Sequence, residues 1–201
     1  MDTAALRTLG QFGPHDLTPP LWVKVIIHGG VYSRHTHSVV IDFCRMIVIA
    51  HNIRSLHNIG SIFRNAAAFG VEKLYLTGFT ETPPRKEIAK VALGAENLIS
   101  WEKGDIMEVI AKLKQNGYHV YGLETGGKEI SAIEASIRAS TSGHGAAMPV
   151  RVALVLGNEV EGIDQETIGA LDGLVSIPMQ AKQSLNVSVA SGIAMYLFTR
   201  L

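Results

Sequence analysis

Three separated clusters of polar residues and glycines carry groups that could bind and activate a polar ligand. The first runs from Asn58 to Arg64, the second is Gly157-Asn-Glu159 with Gly162, and the third runs from Ser184 to Ser188. A guanidinium can orient an anion, a carboxylate and amides can hydrogen-bond a substrate, and glycines let a backbone approach a ligand closely. Each cluster alone is also typical of ordinary structure: a capped surface helix, a tight turn after a strand, or a capped helix start.

The segments around these clusters alternate between strand-like and helical patterns from Met46 onward. Such alternation predicts an α/β domain with a mostly parallel sheet and helices on both of its faces. The strand candidates are Met46–Ala50, Lys73–Thr77, Tyr118–Leu123, Arg151–Leu156 and Leu174–Pro178. Apolar residues spaced i, i+3, i+4 and i+7 predict one helix around Ile59–Ala66 and another around Ile106–Leu113. Gly70 and Gly117 are expected to end these helices, and Asp105 to cap the second.

Two of the clusters follow predicted strands, and the third begins the last helix. The run Arg151–Leu156 is almost continuously apolar, as expected of a central strand covered on both faces, and it stops at the second cluster. Ligands of open α/β sheets collect at the carboxyl ends of the strands. The last helix is predicted over residues 184–200, capped by Ser184 or Asn186. Val189, Ile193 and Leu197, spaced by four, are predicted to be its buried face.

Composition restricts the class of protein. The chain has 201 residues, enough for one substantial core, and no apolar run approaches the ~18 residues of a membrane span. Its 18 basic and 18 acidic side chains cancel, so a nucleic-acid partner would need a local basic patch. The single Cys44 excludes an intrachain disulfide and a cysteine-built zinc site, and it fits the reducing cytoplasm, where we expect the protein.

The first 45 residues differ from the rest of the chain. They contain three of the seven prolines and no glutamate, and they lack the apolar core of a secretory signal. We therefore predict an N-terminal extension over residues 1–45 and a folded domain over residues 46–201.

Taken together and in this order, the three clusters resemble the motifs of the SpoU/TrmH family of tRNA and rRNA 2'-O-methyltransferases. Asn58-x-Gly-x-x-x-Arg64 is similar to the first motif and Gly157-Asn-Glu-x-x-Gly162 to the second. Ile177-Pro-Met179 with Ser184-Leu-Asn-Val-Ser188 is similar to the third. The resemblance covers residues 46–201 and implies an α/β fold with a deep C-terminal trefoil knot. It also implies a homodimer to which the C-terminal helix contributes.

The resemblance implies a role for each polar residue of the motifs. Arg64 would activate the ribose 2'-hydroxyl, while Asn58, Glu159 and Asn186 would arrange the site around it. A free arginine has a pKa above ~12 and is a poor general base. We therefore favour a role in which Arg64 orients phosphate and stabilises the developing alkoxide, since a guanidinium does both without losing its charge.

The resemblance further implies S-adenosylmethionine as the methyl donor, bound in the knot largely by backbone groups of the loops. The residues expected to line its pocket are Leu123, Glu124, Gly157, Ile177, Met179 and Leu185. Because a sulfonium leaving group departs neutral, methyl transfer demands in-line positioning and an activated oxygen, and we expect no metal.

A basic patch on the protein surface would bind the RNA. Its candidate residues are Arg54, Arg85, Lys86, Lys90 and Lys182. Two other functions stay open: a catalytically silent RNA-binding protein on the same fold, and a knotted methyltransferase with a non-RNA acceptor. The lack of a recognisable RNA-binding domain slightly favours a tRNA over an rRNA substrate.

Two further patterns are weaker. The segment from Gly122 to Glu129 nearly matches a nucleotide-binding phosphate loop, but Glu129 replaces the hydroxyl that would bind magnesium. We interpret it as a glycine-rich loop after a strand. His28, His35 and His37 lack a carboxylate pair or cysteine beside them, and His51 is interpreted as a hydrogen-bonded structural histidine.

Overall fold

Six parallel strands form the sheet in the part of the chain that the structure describes. The computed structural model describes residues 45–133, 150–181 and 184–199. The strands are β1 (Arg45–His51), β2 (Lys73–Thr77), β3 (Ser100–Gly104), β4 (His119–Glu129), β5 (Arg151–Leu156) and β6 (Gly173–Ser176). Their order across the sheet is β3-β2-β1-β5-β4-β6. Since all pairings are parallel, every strand ends at the same margin of the sheet, which we term the carboxyl edge.

Helices cover both faces of this sheet. They are α1 (Leu56–Phe69), α2 (Lys86–Ala92), α3 (Ile106–Gln115), α4 (Gln165–Ala170) and α5 (Val187–Phe198), with a short 3-10 helix at Ala95–Asn97. The first core cluster joins the sheet to α1, α2 and α5, and the second joins it to α3 and α4. The predicted α/β architecture with a parallel sheet and helices on both faces is thus confirmed. Within the described ranges, no helix has the length and apolarity that crossing a membrane requires.

The two central strands owe their near-continuous apolar sequences to burial on both faces. Side chains alternate along a strand, so Met46, Val48 and Ala50 enter the first core while Ile47 and Ile49 enter the second. The predictions for β1, β2 and β5 are confirmed, β1 extending one residue further at each end. The trefoil knot and the domain boundary at Met46 stay predictions, and residues 1–44 lie outside the described part of the chain.

Capping residues set the ends of the helices that carry or support the site. Asp105 caps α3, accepting from the backbone N–H groups of Met107 and Glu108, as predicted. Gly70 ends α1 with a φ of 70°, a left-handed conformation that glycine adopts without steric cost. Ser55 is the N-cap of α1 and accepts from the backbone N–H of Asn58, which lies in the first helical turn. The Asn58 side chain is therefore free for another contact.

The prediction of a glycine-rich loop after residue 123 is wrong, because β4 continues to Glu129. The extended part pairs with β6, with an irregularity in register between Leu123 and Lys128. A Cβ at Gly127 would lie 2.7 Å from the backbone of Leu174, so the glycine is required by strand packing. Three further elements were not predicted: β3, α2 and α4, which are short.

The predicted buried face of the last helix is wrong for Val189 and Ile193, whereas the third residue, Leu197, is partly buried and packs against the first core cluster. Val189 is 50% exposed and Ile193 36% exposed, whereas Ala194, Met195 and Phe198 are fully buried. The helix is apolar around most of its circumference, so a spacing of four could not select the buried side. A small residue determines which side of α5 packs against α1. At Gly192 a Cβ would lie 3.0 Å from the Asn65 side chain, so the absence of a side chain there allows the close contact.

The face that α1 and α5 leave uncovered is a shallow depression, here termed the α1–α5 surface. It is lined by Ser61, Asn65, Phe69, Ser188, Val189, Gly192, Ile193 and Tyr196. The rings of Phe69 and Tyr196 lie 5.9 Å apart, centroid to centroid. Exposed apolar side chains thus cluster on the helix pair that also carries the first and third motifs.

Candidate active site

A cavity of about 490 Å³ opens at the carboxyl edge, beside the ends of β4 and β5 and the start of α5. All six residues predicted to line a cofactor pocket lie on its wall: Leu123, Glu124, Gly157, Ile177, Met179 and Leu185. The wall also contains Thr125, Leu156, Asn158, Glu159, Val160, Gly162, Ser184, Asn186, Val187 and Ala190. The second and third motifs therefore meet at one cavity, as their positions at the carboxyl edge predict.

The Glu159 carboxylate is the centre of the polar contacts at this cavity. It accepts hydrogen bonds from the backbone N–H groups of Arg54 (2.9 Å) and Ser55 (3.0 Å) and from the Asn58 side-chain amide (2.9 Å). Partial burial raises the pKa of this carboxyl, but the three hydrogen bonds outweigh burial and hold the pKa below its ordinary value. Glu159 is thus an ionised acceptor with its partners already in place, which makes it a positioning group and a poor proton acceptor.

Asn58 extends this interaction to the third motif. Its Oδ1 accepts from Asn186 Nδ2 at 3.2 Å, while its own Nδ2 donates to Glu159. Asn186 caps α5, because its Oδ1 accepts from the Ser188 backbone N–H at 2.9 Å. We term this chain from Glu159 through Asn58 to Asn186 the amide relay. It connects the loop after β1, the loop after β5 and the first turn of α5.

Arg64 does not belong to the relay and does not line the cavity. It is exposed on α1, about 9 Å along the helix axis from Asn58. Within residues 45–133, 150–181 and 184–199 its guanidinium forms no ion pair with a carboxylate. In sequence it lies between Ser61 and Asn65 of the α1–α5 surface. The structure thus joins three of the four predicted catalytic residues and leaves Arg64 apart.

The loop that carries Glu159 is shaped by Asn158, which sequence reasoning missed. Asn158 exchanges two backbone hydrogen bonds with Gly162, and its Oδ1 accepts from the N–H groups of Val160 and Glu161. Its Nδ2 donates to the Asn52 carbonyl at 2.8 Å, which fixes the turn against the loop after β1. An asparagine two residues after the end of a strand, at the start of a turn that closes at a glycine, is the signal that could have revealed this role.

The two glycines of the second motif serve this turn. A Cβ at Gly157 would lie 2.6 Å from the Gly162 carbonyl carbon, so the space expected for a ligand at Gly157 is filled by protein backbone. Gly162 has a φ of +72°, and a Cβ there would lie 2.6 Å from Glu124 Oε1. Glu124 itself accepts from the Ile163 N–H at 2.7 Å, so one carboxylate oxygen of this cavity residue stabilises the turn.

The predicted structural role of His51 is confirmed. The ring is buried, with Nδ1 2.9 Å from Thr77 Oγ1 and Nε2 3.2 Å from Asp164 Oδ2. His28, His35 and His37 lie outside the described residues. Among those described, no group of three or more histidine, cysteine, aspartate or glutamate side chains could hold a metal ion.

The predicted RNA-binding residues are dispersed. Arg54 is exposed in the loop after β1, directly beside the relay. Lys86 and Lys90 are exposed on α2, and Arg85, just before it, lies 3.7 Å from Glu81. Lys182 lies outside the described residues. Among the four residues of this set that the structure describes, only Arg54 contacts the site directly, through its backbone N–H.

Comparison with known proteins gives a consistent identification. Residues 45–196 match the sequence model of the SpoU rRNA Methylase family. The chain is similar to the 23S rRNA (guanosine-2'-O-)-methyltransferase of Xanthomonas axonopodis pv. citri, with 30% identity over 153 residues. That match covers 75% of this chain and 57% of the relative, so the chain spans little more than half of that protein's length.

Solved structures share the fold. An AdoMet-bound rRNA methyltransferase from Sinorhizobium meliloti superimposes with a TM-score of 0.67 at 24% identity, covering 79% of this chain and 57% of that one. The TrmH/SpoU tRNA modifying enzyme of Aquifex aeolicus gives a TM-score of 0.63 at 28% identity, covering 79% of this chain and 77% of that one.

The contact between Asn58 and Glu159 can be measured by a double-mutant cycle. We expect Asn58→Ala and Glu159→Ala to be non-additive in the free energy of unfolding, with a coupling of roughly 0.5–3 kcal/mol, because each removes the same hydrogen bond. Urea denaturation followed by circular dichroism gives the four values. The matched control pairs Asn58→Ala with Asp105→Ala, a cap that shares no partner with Asn58 and should be additive. Equal coupling in both cycles would mean that the relay contact does not form.

Proposed function

Because the chain belongs to the SpoU rRNA Methylase family, we propose that it transfers a methyl group from S-adenosylmethionine to a ribose 2'-hydroxyl of tRNA or rRNA. The observation that carries this proposal is the amide relay, which joins one polar residue from each of the three motifs, and two of these residues, Glu159 and Asn186, line a single cavity. A catalytically silent RNA-binding protein would have no need of that arrangement. The cytoplasmic location predicted from the single cysteine belongs to the same proposal.

The residues of the cavity suit S-adenosylmethionine in size and chemistry. The volume of about 490 Å³ is in the range of small-ligand pockets, ~300–1,000 Å³. Leu123, Ile177 and Leu185 offer apolar surface for a purine, and Glu124 and Glu159 give the wall negative charge that complements a cationic ligand. When bound, S-adenosylmethionine supplies a methyl group on a positively charged sulfonium.

The chain's own polar residues then have separate tasks. Glu159 holds the loop after β1 by two backbone N–H groups, and Asn58 and Asn186 fix the start of α5 against it. These contacts pre-form the rim on which a ribose would be oriented, so little reorganisation is left for the reaction. Arg64 remains the group that can bind an RNA phosphate and stabilise the alkoxide that forms as the 2'-hydroxyl loses its proton.

We further propose a homodimer formed through the α1–α5 surface. The exposed fractions of Val189 (50%), Ile193 (36%) and Tyr196 (45%) are high for apolar side chains that lie together on one helix. Contiguous exposed apolar surface of this kind marks interaction sites, and a two-fold dimer would place the same surface of a second copy against it.

The dimer would also account for the position of Arg64. Arg64 lies beside the α1–α5 surface and not in the cavity of its own chain. We therefore propose that Arg64 of one protomer serves RNA bound at the cavity of its partner, so that each site is completed by both chains.

The direct test of the function is methyl transfer to RNA. We expect purified protein with radiolabelled S-adenosylmethionine to label total RNA from a strain that lacks the gene, at a ribose resistant to alkaline cleavage on its 3' side. A primer-extension or mass-spectrometric map then identifies the nucleotide. Bound S-adenosylmethionine with label only in protein or small molecules would instead favour a non-RNA acceptor. RNA binding without S-adenosylmethionine binding would favour the silent protein.

Mixing inactive variants tests the assignment of Arg64. We expect Arg64→Ala to lose at least ~100-fold in turnover, as removal of a transition-state contact typically costs. We expect Glu159→Gln to lose turnover as well, because the carboxylate that positions the loop after β1 and Asn58 is removed. S-adenosylmethionine affinity should stay nearly unchanged in Arg64→Ala, since Arg64 does not line the cavity. After co-refolding of the two variants, heterodimers should regain activity, because one of their two sites combines Arg64 from one chain with Glu159 from the other. Heterodimers without activity would show that both residues act within one chain.

A further inference from the structure

An exposed aromatic ring lies at the carboxyl edge, outside the cavity. Phe79 is 57% exposed in the turn that follows β2. Since β2 is separated from β5 only by β1, this turn lies about 10 Å from the loop that carries Glu159. The ring is therefore within reach of a nucleotide next to one held at the cavity.

The turn that carries Phe79 is held rigidly. The Lys103 ammonium donates to the carbonyl oxygens of Gly78 and Thr80, at 2.6 Å each. Thr80 Oγ1 donates to the Ala50 carbonyl and accepts from the Ile53 N–H at 2.9 Å. Hydrogen bonds thus fix the backbone on both sides of Phe79, so the ring is presented to solvent by a pre-formed turn.

Asn52 connects this turn to the amide relay. Its Oδ1 accepts from the Phe79 N–H at 3.1 Å, and its carbonyl accepts from Asn158 Nδ2. Gly78 makes the contact possible, because a Cβ there would lie 1.9 Å from Asn52 Oδ1 and its φ is +61°. The position of Phe79 is therefore set by the same loops that position Glu159.

The charges around the ring are suited to RNA. Arg54 is exposed in the adjoining loop, and in the part of the chain that the structure describes its guanidinium has no carboxylate partner. Arg85 lies further along the chain and 3.7 Å from the Glu81 carboxylate, so Arg54 is the cation on which the argument rests. An aromatic platform with cations beside it is the arrangement that binds unpaired nucleotides, the base on the ring and the phosphates on the cations.

The exposed side chain of Leu98 lacks this setting. Leu98 is 78% exposed, but it precedes β3 and therefore lies at the opposite edge of the sheet. Single exposed apolar residues of this kind are common on protein surfaces. Phe79 differs from Leu98 by its π-face, its fixed turn and its place beside the relay.

We propose that Phe79 is a stacking platform for an unpaired base of the RNA, adjacent to the nucleotide that is methylated. This inference rests on the proposed RNA methyltransferase function and identifies its substrate as a single-stranded or loop region. Arg54 binds the phosphate between the stacked base and the nucleotide at the cavity.

The test measures RNA affinity and methyl transfer for variants of Phe79 in the 201-residue protein. With fluorescently labelled single-stranded oligoadenylate as the probe, Phe79→Ala should weaken binding by roughly 5- to 100-fold, the typical loss for one stacked base. Phe79→Trp should bind at least as tightly as wild type, whereas Phe79→Leu, which keeps apolar area without a π-face, should resemble Phe79→Ala. The KM for total RNA should rise in parallel, with kcat and S-adenosylmethionine affinity unchanged.

Leu98→Ala is the matched control and should bind oligoadenylate like wild type. Wild-type affinity in Phe79→Ala, or equal losses in Phe79→Trp and Phe79→Ala, would overturn the stacking role. The methyl-transfer assay on the wild-type protein is read separately. Labelling of RNA by wild type together with an unchanged KM in Phe79→Ala would remove this inference and leave the proposed function intact.

Discussion

The architecture of the site depends on one carboxylate, that of Glu159, which accepts hydrogen bonds from N–H groups at the start of α1. Glu159 is separated by more than 100 residues from Arg54, Ser55 and Asn58. Its carboxylate nevertheless accepts a hydrogen bond from an N–H group of each of them. Two of these donors are backbone groups at the start of α1, where helix N–H groups have no partner within the helix. A negative charge is also favoured there by the helix dipole. Without Glu159, the three hydrogen bonds that join Arg54, Ser55 and Asn58 to the loop after β5 would be lost, and the Asn158–Asn52 hydrogen bond would remain.

From this contact the rest of the site follows by steps. The turn from Gly157 to Gly162 must be tight enough to aim Glu159 at α1, which is why protein backbone fills the space beside Gly157. Asn58, relieved of capping by Ser55, can turn its amide to both Glu159 and Asn186. Because the rim of the cavity is pre-formed in this way, binding a substrate requires little reorganisation and therefore costs little free energy.

The sequence alone predicted those structural features that depend on a local pattern of residues. The buried apolar runs located β1 and β5, Asp105 marked the start of α3, and motif order placed six residues on one cavity wall. Predictions from the sequence failed where a contact with a residue distant in the chain determines the structure. The Asn58 side chain binds Glu159, which lies 101 residues away in the chain, and α5 packs Gly192 rather than Val189 against α1. Gly127 of β4 is needed for close packing against β6, which the local sequence does not show.

The pKa of the Glu159 carboxyl is the measurement that tests this account most directly. Carbon-13 NMR titration of protein labelled at the glutamate side chains gives it, with the Glu159 signal identified by its absence in Glu159→Gln. The account predicts a pKa below the ~4.3 of an unperturbed glutamate, and a higher value in Asn58→Ala, where one donor is lost. A wild-type pKa at or above that reference, unaffected by Asn58→Ala, would contradict it.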